Sequence, residues 1–93
     1  MIKSFANRNT QKLFDGETVP RLPPEIRARA RLTLAQLNAA ATLDFMMIPP
    51  SNRLEALKGD RKGQHSVRIN QQWRICFRWS DGNAFDVEIT DYH

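Results

Sequence analysis

Cations dominate the residues suited to chemistry. Arg53, Lys58, Arg61 and Lys62 fall in or just before the stretch Lys58-Gly59-Asp60-Arg61-Lys62-Gly63. The two glycines let the backbone turn tightly, and fixed cations beside such a turn can hold a phosphate group. The spacing is not that of a P-loop, and the plainer alternative is a solvated basic loop. Arg74 follows Trp73 in an alternating segment, where it can point into a cleft near the basic loop. The alternative there is pairing of Arg68, Arg74 or Arg78 with Asp86 or Glu88 across neighbouring strands. Asp91-Tyr92-His93 adds an imidazole that exchanges protons near neutral pH and a phenol that can donate a hydrogen bond. His65 and His93 are the only histidines and Cys76 is the only cysteine. No metal site, no cofactor, no internal disulfide and no Cys-based zinc cluster is expected on that inventory.

The charge balance points to an anionic partner. The 93 residues carry 14 Lys and Arg against 10 Asp and Glu, a formal charge of +4. That excess is uneven. Residues 1–63 hold eleven basic against six acidic side chains, or +5, and residues 64–93 hold three against four, or −1. Nucleic acid is the first candidate for a basic surface of this kind. Hydrophobic residues at 41% make a disordered chain a poor reading. The longest apolar run, Phe45 to Ile48, is far short of a membrane span, and no secretory leader is expected, so the anticipated setting is the cytoplasm, without membrane association.

The elements that must position these residues read as helices first and sheet last. Asn7 or Asn9 can cap a short helix through Leu13 and Phe14 that Gly16 ends. A second helix starts at Pro24, with Ile26, Ala30, Leu34, Leu37 and Ala41 forming one apolar stripe. Arg27, Arg29 and Arg31 lie on its other faces, as a solvated surface or a phosphate-facing one. Met46 and Met47 read as core filler, and Pro49-Pro50 stops any helix there. Met1 to Phe5 can open the fold as a strand. From Ser66 the period becomes two: Val67 and Ile69; Trp73, Ile75, Phe77 and Trp79; Phe85, Val87 and Ile89. Asn70-Gln71-Gln72 is a tight turn and Asp81-Gly82 a hairpin turn. The expectation is one α+β domain over 1–93, an antiparallel meander whose apolar face the long helix covers. Cys76 reads as a small residue of the sheet.

Taken in order, Met1-Ile2-Lys3-Ser4-Phe5, Leu54-Glu55-Ala56-Leu57-Lys58-Gly59-Asp60-Arg61-Lys62-Gly63, Trp73-Arg74-Ile75-Cys76-Phe77 and Asp91-Tyr92-His93 resemble the HigB-type toxins of the RelE/ParE superfamily, also called plasmid maintenance killer proteins. The resemblance spans essentially the whole chain. It implies a RelE-like two-layer fold, with N-terminal helices packed on a curved, mainly antiparallel sheet. It implies a toxin that cuts mRNA in the decoding site of the ribosome, and a HigA-type antitoxin with a helix-turn-helix domain through which alone the pair reaches operator DNA. Lys58 matches the family's active-site lysine, Arg74 its arginine after tryptophan, and Asp91, Tyr92 and His93 its terminal group. Glu55 stands where many members have a histidine, and Gln72 where an asparagine is common. Arg53, Glu55, Arg61, Lys62 and Gln72 are the candidates for holding substrate.

RNA carries its own nucleophile, the 2′-hydroxyl. A ribonuclease without a metal must align that hydroxyl with the phosphate, take its proton, stabilise the added negative charge and protonate the leaving 5′-oxygen. Lys58 and Arg74 suit charge stabilisation, and His93 is the best proton carrier by intrinsic pKa. Glu55 is an alternative base. Tyr92 can stack on a base or donate a hydrogen bond, and Asp91 can orient His93 or hold the terminus. Rival readings are a toxin of the same fold acting on DNA gyrase or on ribosome biogenesis without cutting mRNA, and a basic RNA-binding module without catalysis.

Overall fold

The computed structural model describes residues 1–91. Asn7 caps helix α1 (Arg8–Phe14): its side-chain oxygen accepts from the Thr10 amide at 2.9 Å and from the Thr10 hydroxyl at 2.7 Å. The same hydroxyl accepts from the Ile89 amide at 2.9 Å, so the cap also ties the helix to the sheet. Gly16 takes φ +89 just past the helix, where a side chain would be strained.

Helix α2 (Pro24–Ala39) has proline in its first turn and Glu25 near the positive end of its dipole. Ile26, Ala30, Leu34 and Leu37 are buried as the stripe predicts, and Thr33 joins them. Ala41, expected to extend the stripe, lies beyond the helix and is exposed, while Ala40 is buried at its end. Arg27 and Arg31 are not merely solvated. Arg27 Nε donates to the Leu22 carbonyl at 2.9 Å, and Arg31 donates to the carbonyls of Leu13 and Glu17 at 3.2 and 2.8 Å. Both arginines fasten the preceding loop to the helix.

Two short 3-10 turns follow, Leu43–Met47 and Pro50–Asn52. Met46 is fully buried but Met47 is 55% exposed, which corrects its reading as core. The buried Asn52 side chain, donating to the Met46 carbonyl at 3.1 Å and to Gln36 Oε1 at 3.1 Å, holds this segment with one methionine inward.

The sheet has four antiparallel strands in the order β1 (Glu55–Ala56), β2 (His65–Arg68), β3 (Trp73–Ser80) and β4 (Asn83–Asp91). The two-residue β1 was not anticipated, whereas the three longer strands were. Asn70 shapes the β2–β3 turn: its side chain accepts from the amides of Gln72 and Trp73, both at 2.8 Å. Asp81 and Gly82 both have positive φ, the conformation of a tight hairpin turn matched to strand twist. The N-terminal residues do not form a full strand. They run parallel to β4 through bridges of Ile2 with Ala84 and Phe5 with Val87.

One face of the sheet carries Val67, Ile75, Phe77, Val87 and Ile89, packed with Leu13, Ile26, Ala30, Leu34 and Leu37 into a single core. Each of these Val, Leu, Ile and Phe side chains contributes about 1.5–3 kcal/mol on leaving water. Phe85 does not join them. Cys76 lies opposite Glu88 but Arg78 lies opposite Phe85, so β4 holds one extra residue, and Asp86 takes φ +52 there. A one-residue bulge exchanges the two faces of a strand. Ala84 therefore enters the core and Phe85 sits opposite Arg78. Among the described residues, no helix is long and apolar enough to cross a membrane.

Candidate active site

Helices cover only one face of the sheet, and alternation puts the polar side chains on the other. Register sets two rows of residues across that open face. One row runs Glu55, Ser66, Cys76, Glu88, and the next runs Arg68, Arg74, Thr90. Arg74 is the centre. Its guanidinium donates to Ser66 Oγ at 3.0 Å and faces Glu55 Oε1 at 3.6 Å, and its side chain is only 16% exposed. The flat, forked head is thus fixed in direction before any substrate arrives.

The basic loop delivers a second cation. Lys58 begins, and Lys62 ends, a 3-10 turn over Gly59–Arg61 in which Gly59 has φ +63. Arg61 Nη1 reaches Glu88 Oε1 at 3.0 Å and Gln64 Oε1 at 3.0 Å. Lys58 and Lys62 are both exposed. Cys76 is fully buried in the row between Ser66 and Glu88. Burial pushes its thiol above the ordinary value of 9.0. The Arg61 cation opposes that rise, the Glu88 carboxylate adds to it, and Arg74 opposes it more weakly.

The end of β4 brings a third group. Asp91 pairs with Trp73 in the ladder, and its Oδ2 accepts from Gln72 Nε2 at 3.0 Å. Tyr92 and His93, the rest of the expected terminal group, lie outside the described residues.

The sequence candidates are therefore placed unevenly. Glu55 and Arg74 meet, as do Gln72 and Asp91, while Arg61 turns to Glu88. Arg53 stands elsewhere. It lines a cavity with Arg29 and Arg68 at the β2–β3 turn. Of the cross-strand pairs considered, Arg78 with Asp86 forms, at 3.5 Å. Arg68 instead donates from Nε to the Asn70 carbonyl at 3.1 Å, and Arg74 turns to β1. Ser66 was missed. Its alternation with Val67 was visible, but its role depends on lying across from Cys76 beside Arg74, which only the pairing register reveals. Among the described residues, no three or more His, Cys, Asp or Glu side chains are grouped so as to hold a metal ion.

The chain has relatives among known proteins. Toxin HigB-1 of Vibrio cholerae is 34% identical over 90 residues, 96% of this chain and 95% of that protein. Endoribonuclease HigB of Proteus vulgaris is 30% identical over 93 residues, the whole of both chains. Among solved structures, the YoeB-YefM complex from Staphylococcus aureus contains a chain that matches with a TM-score of 0.60 at 16% identity, over 100% of this chain and 98% of that one, which shows a shared fold. The family model for the RelE-like toxin HigB of type II toxin–antitoxin systems matches residues 3–93, and the chain belongs to that family.

Proposed function

We propose that this protein is a toxin that cuts messenger RNA on the ribosome, without a metal ion, and so halts translation and growth. The observation that carries the reading is the Arg74 guanidinium, aimed by Ser66 and Glu55 on the face of the sheet turned away from the helices. The relative from Proteus vulgaris that matches end to end is named an endoribonuclease.

The chemistry follows from the substrate. The 2′-oxygen attacks the adjacent phosphorus, its proton passes to a base, the bond from phosphorus to the 5′-oxygen breaks, and that oxygen takes a proton. The products are a 2′,3′-cyclic phosphate and a 5′-hydroxyl. Arg74 and Lys58 stabilise the charge that builds on the phosphoryl oxygens, an effect that can contribute several kcal/mol when the donors are fixed beforehand. His93 carries a proton, and Tyr92 binds a base by stacking or donates a hydrogen bond. Asp91, held by Gln72, anchors the strand end that leads to both. Arg53, Arg61 and Lys62 add cations along the path of the strand. Glu55 keeps Arg74 in place and is the alternative base. With so few acid–base groups, the ribosome supplies alignment: it presents the mRNA with the 2′-oxygen in line for attack.

The partner that silences the toxin is a HigA-type antitoxin with a helix-turn-helix domain, and operator DNA is reached only through it. The site of action is the cytoplasm, where the ribosomes are. The test is to add the folded wild-type protein and the variants Lys58→Ala, Arg74→Ala and His93→Gln to a translated message and map the new RNA ends. Cleavage by the wild type, with loss in the variants, supports the site. Undiminished cleavage by all three removes it. Growth arrest relieved by co-expressing the neighbouring antitoxin tests the pairing.

A further inference from the structure

A second cationic site lies apart from Arg74's partners, at the end of the sheet where the Pro50–Asn52 turn, helix α2 and the β2–β3 turn meet. It is a cavity of about 580 Å³ lined by Arg29, Arg53 and Arg68, with Ser51, Asn70 and Gln71 beside them and no acidic residue in its lining. That volume lies within the ~300–1,000 Å³ of ordinary ligand sites.

Three observations set this cavity apart. Among the described residues, Arg29 Nε is the only buried side-chain nitrogen or oxygen without a hydrogen-bond partner. A buried donor on a charged group destabilises the fold unless something accepts from it. Its neighbour Nη2 has only a long contact to Ser51 Oγ, at 3.4 Å. Arg53, next, occupies the left-handed region at φ +45 and ψ +59, which a side chain of its size adopts at a cost of about 1 kcal/mol or more. The turn before it is pinned by the fully buried Asn52. Arg68, finally, lies directly across the ladder from Arg74. Like charges in register repel; Glu55 offsets this at Arg74, whereas no acidic residue lines the cavity beside Arg68.

We infer that this cavity binds a backbone phosphate of an RNA strand, giving the toxin a second RNA anchor beyond Arg74. The inference rests on the ribonuclease reading for the identity of the polymer. Its chemistry rests on the three arginines alone. Arg68 pairs with Arg74 across the ladder and also lines the cavity, so a strand leaving Arg74 along this row meets the cavity next.

The experiment uses the Arg29 Nε–H as reporter, followed by NMR in the wild-type protein. The probes are a fully 2′-O-methylated single-stranded RNA, which cannot be cut, inorganic phosphate, and a poly-glutamate peptide. RNA is expected to shift this resonance at concentrations where the other two leave it in place. The double variant Arg53→Gln, Arg68→Gln is expected to bind that RNA roughly 10- to 100-fold more weakly. Its slope of log affinity against log salt should be shallower by about 0.7, the value for one phosphate contact on a single strand. An Arg29 resonance that does not move when RNA saturates the protein overturns the inference. So does an equal shift with inorganic phosphate, which marks a free-ion site, or a shift with poly-glutamate alone, which marks an acidic protein partner. The reporter reads binding and not cutting. A wild-type protein that leaves translated mRNA whole therefore counts against the ribonuclease reading without touching this result.

Discussion

The two faces of the sheet are made from alternate residues of the same strands, yet they are organised on different principles. The covered face is apolar and continuous, and Val67, Ile75 and Ile89 stand side by side across three strands. The open face, one residue along, holds Arg68, Arg74 and Thr90, or Ser66, Cys76 and Glu88. On the first face, stability comes from area removed from water, and any side chain of the right shape serves. On the second, each cation has a particular partner: Arg74 has Ser66 and Glu55, and Arg61 has Glu88 and Gln64. These contacts fix the directions of both guanidiniums. The teaching is that neighbouring positions of β3 answer to separate demands, one for packing and, in the function proposed above, one for chemistry.

Ile75 and Arg74 test that separation most directly. Ile75→Ala is expected to lower stability by about 2–5 kcal/mol, because the cavity left in a packed core adds to the lost transfer energy. Urea unfolding measures this. Arg74→Ala should instead lower RNA cleavage about 10²- to 10³-fold, as loss of one aligned donor to a transition state does. Its unfolding free energy should change by about 1.5–3 kcal/mol, the range for a hydrogen bond made by a charged group and toward the low end of the Ile75 effect. If Arg74→Ala unfolds the protein as readily as Ile75→Ala does, the two faces are not separable.

A smaller effect sharpens the division within the open face. Glu55 is half exposed, so its pairing with Arg74 contributes under about 1 kcal/mol. Glu55→Gln should therefore slow cleavage by no more than about fivefold in single-turnover assays. A loss of about a hundredfold or more would make Glu55 the group that takes the 2′-proton.

The smallest effect concerns Cys76, the buried member of that face. Its folded value is raised above 9.0, chiefly by burial. Above pH 9.0, the unfolded chain gives up the thiol proton while the folded chain still holds it. Stability from this group is therefore whole below that pH and falls as pH rises toward the folded value. Cys76→Ala should remove this part of the alkaline decline, visible as a shallower slope of unfolding free energy against pH than in the wild type.

Much of the architecture could be read from local spacing. Asn7 and Gly16 bound α1, proline opens α2, and the switch to a period of two marks β2, β3 and β4. The failures are equally specific. Strand β1 is only two residues long, too short to show a period. Met47 resembles Met46 in type, but the 3-10 turn buries only the latter. The candidate site was legible as a set of residue types. Its partnerships were not, because Arg61 meets Glu88 from 27 residues away and Gln72 meets Asp91 from 19.

The sequence by itself determined the helix stripe, the strand alternation, the basic balance and the motifs that mark the family, since each depends on residues close in the chain or on composition. Tertiary structure alone decided the rest. The bulge at Asp86 turned Phe85 out of the core, the ladder register set Ser66 beside Arg74, and the packing of a turn against α2 gathered Arg29, Arg53 and Arg68 around one cavity. The reason is physical: periodicity chooses which face a residue occupies, whereas its neighbours across a sheet or between layers follow from register and close packing, which no local window of the chain contains.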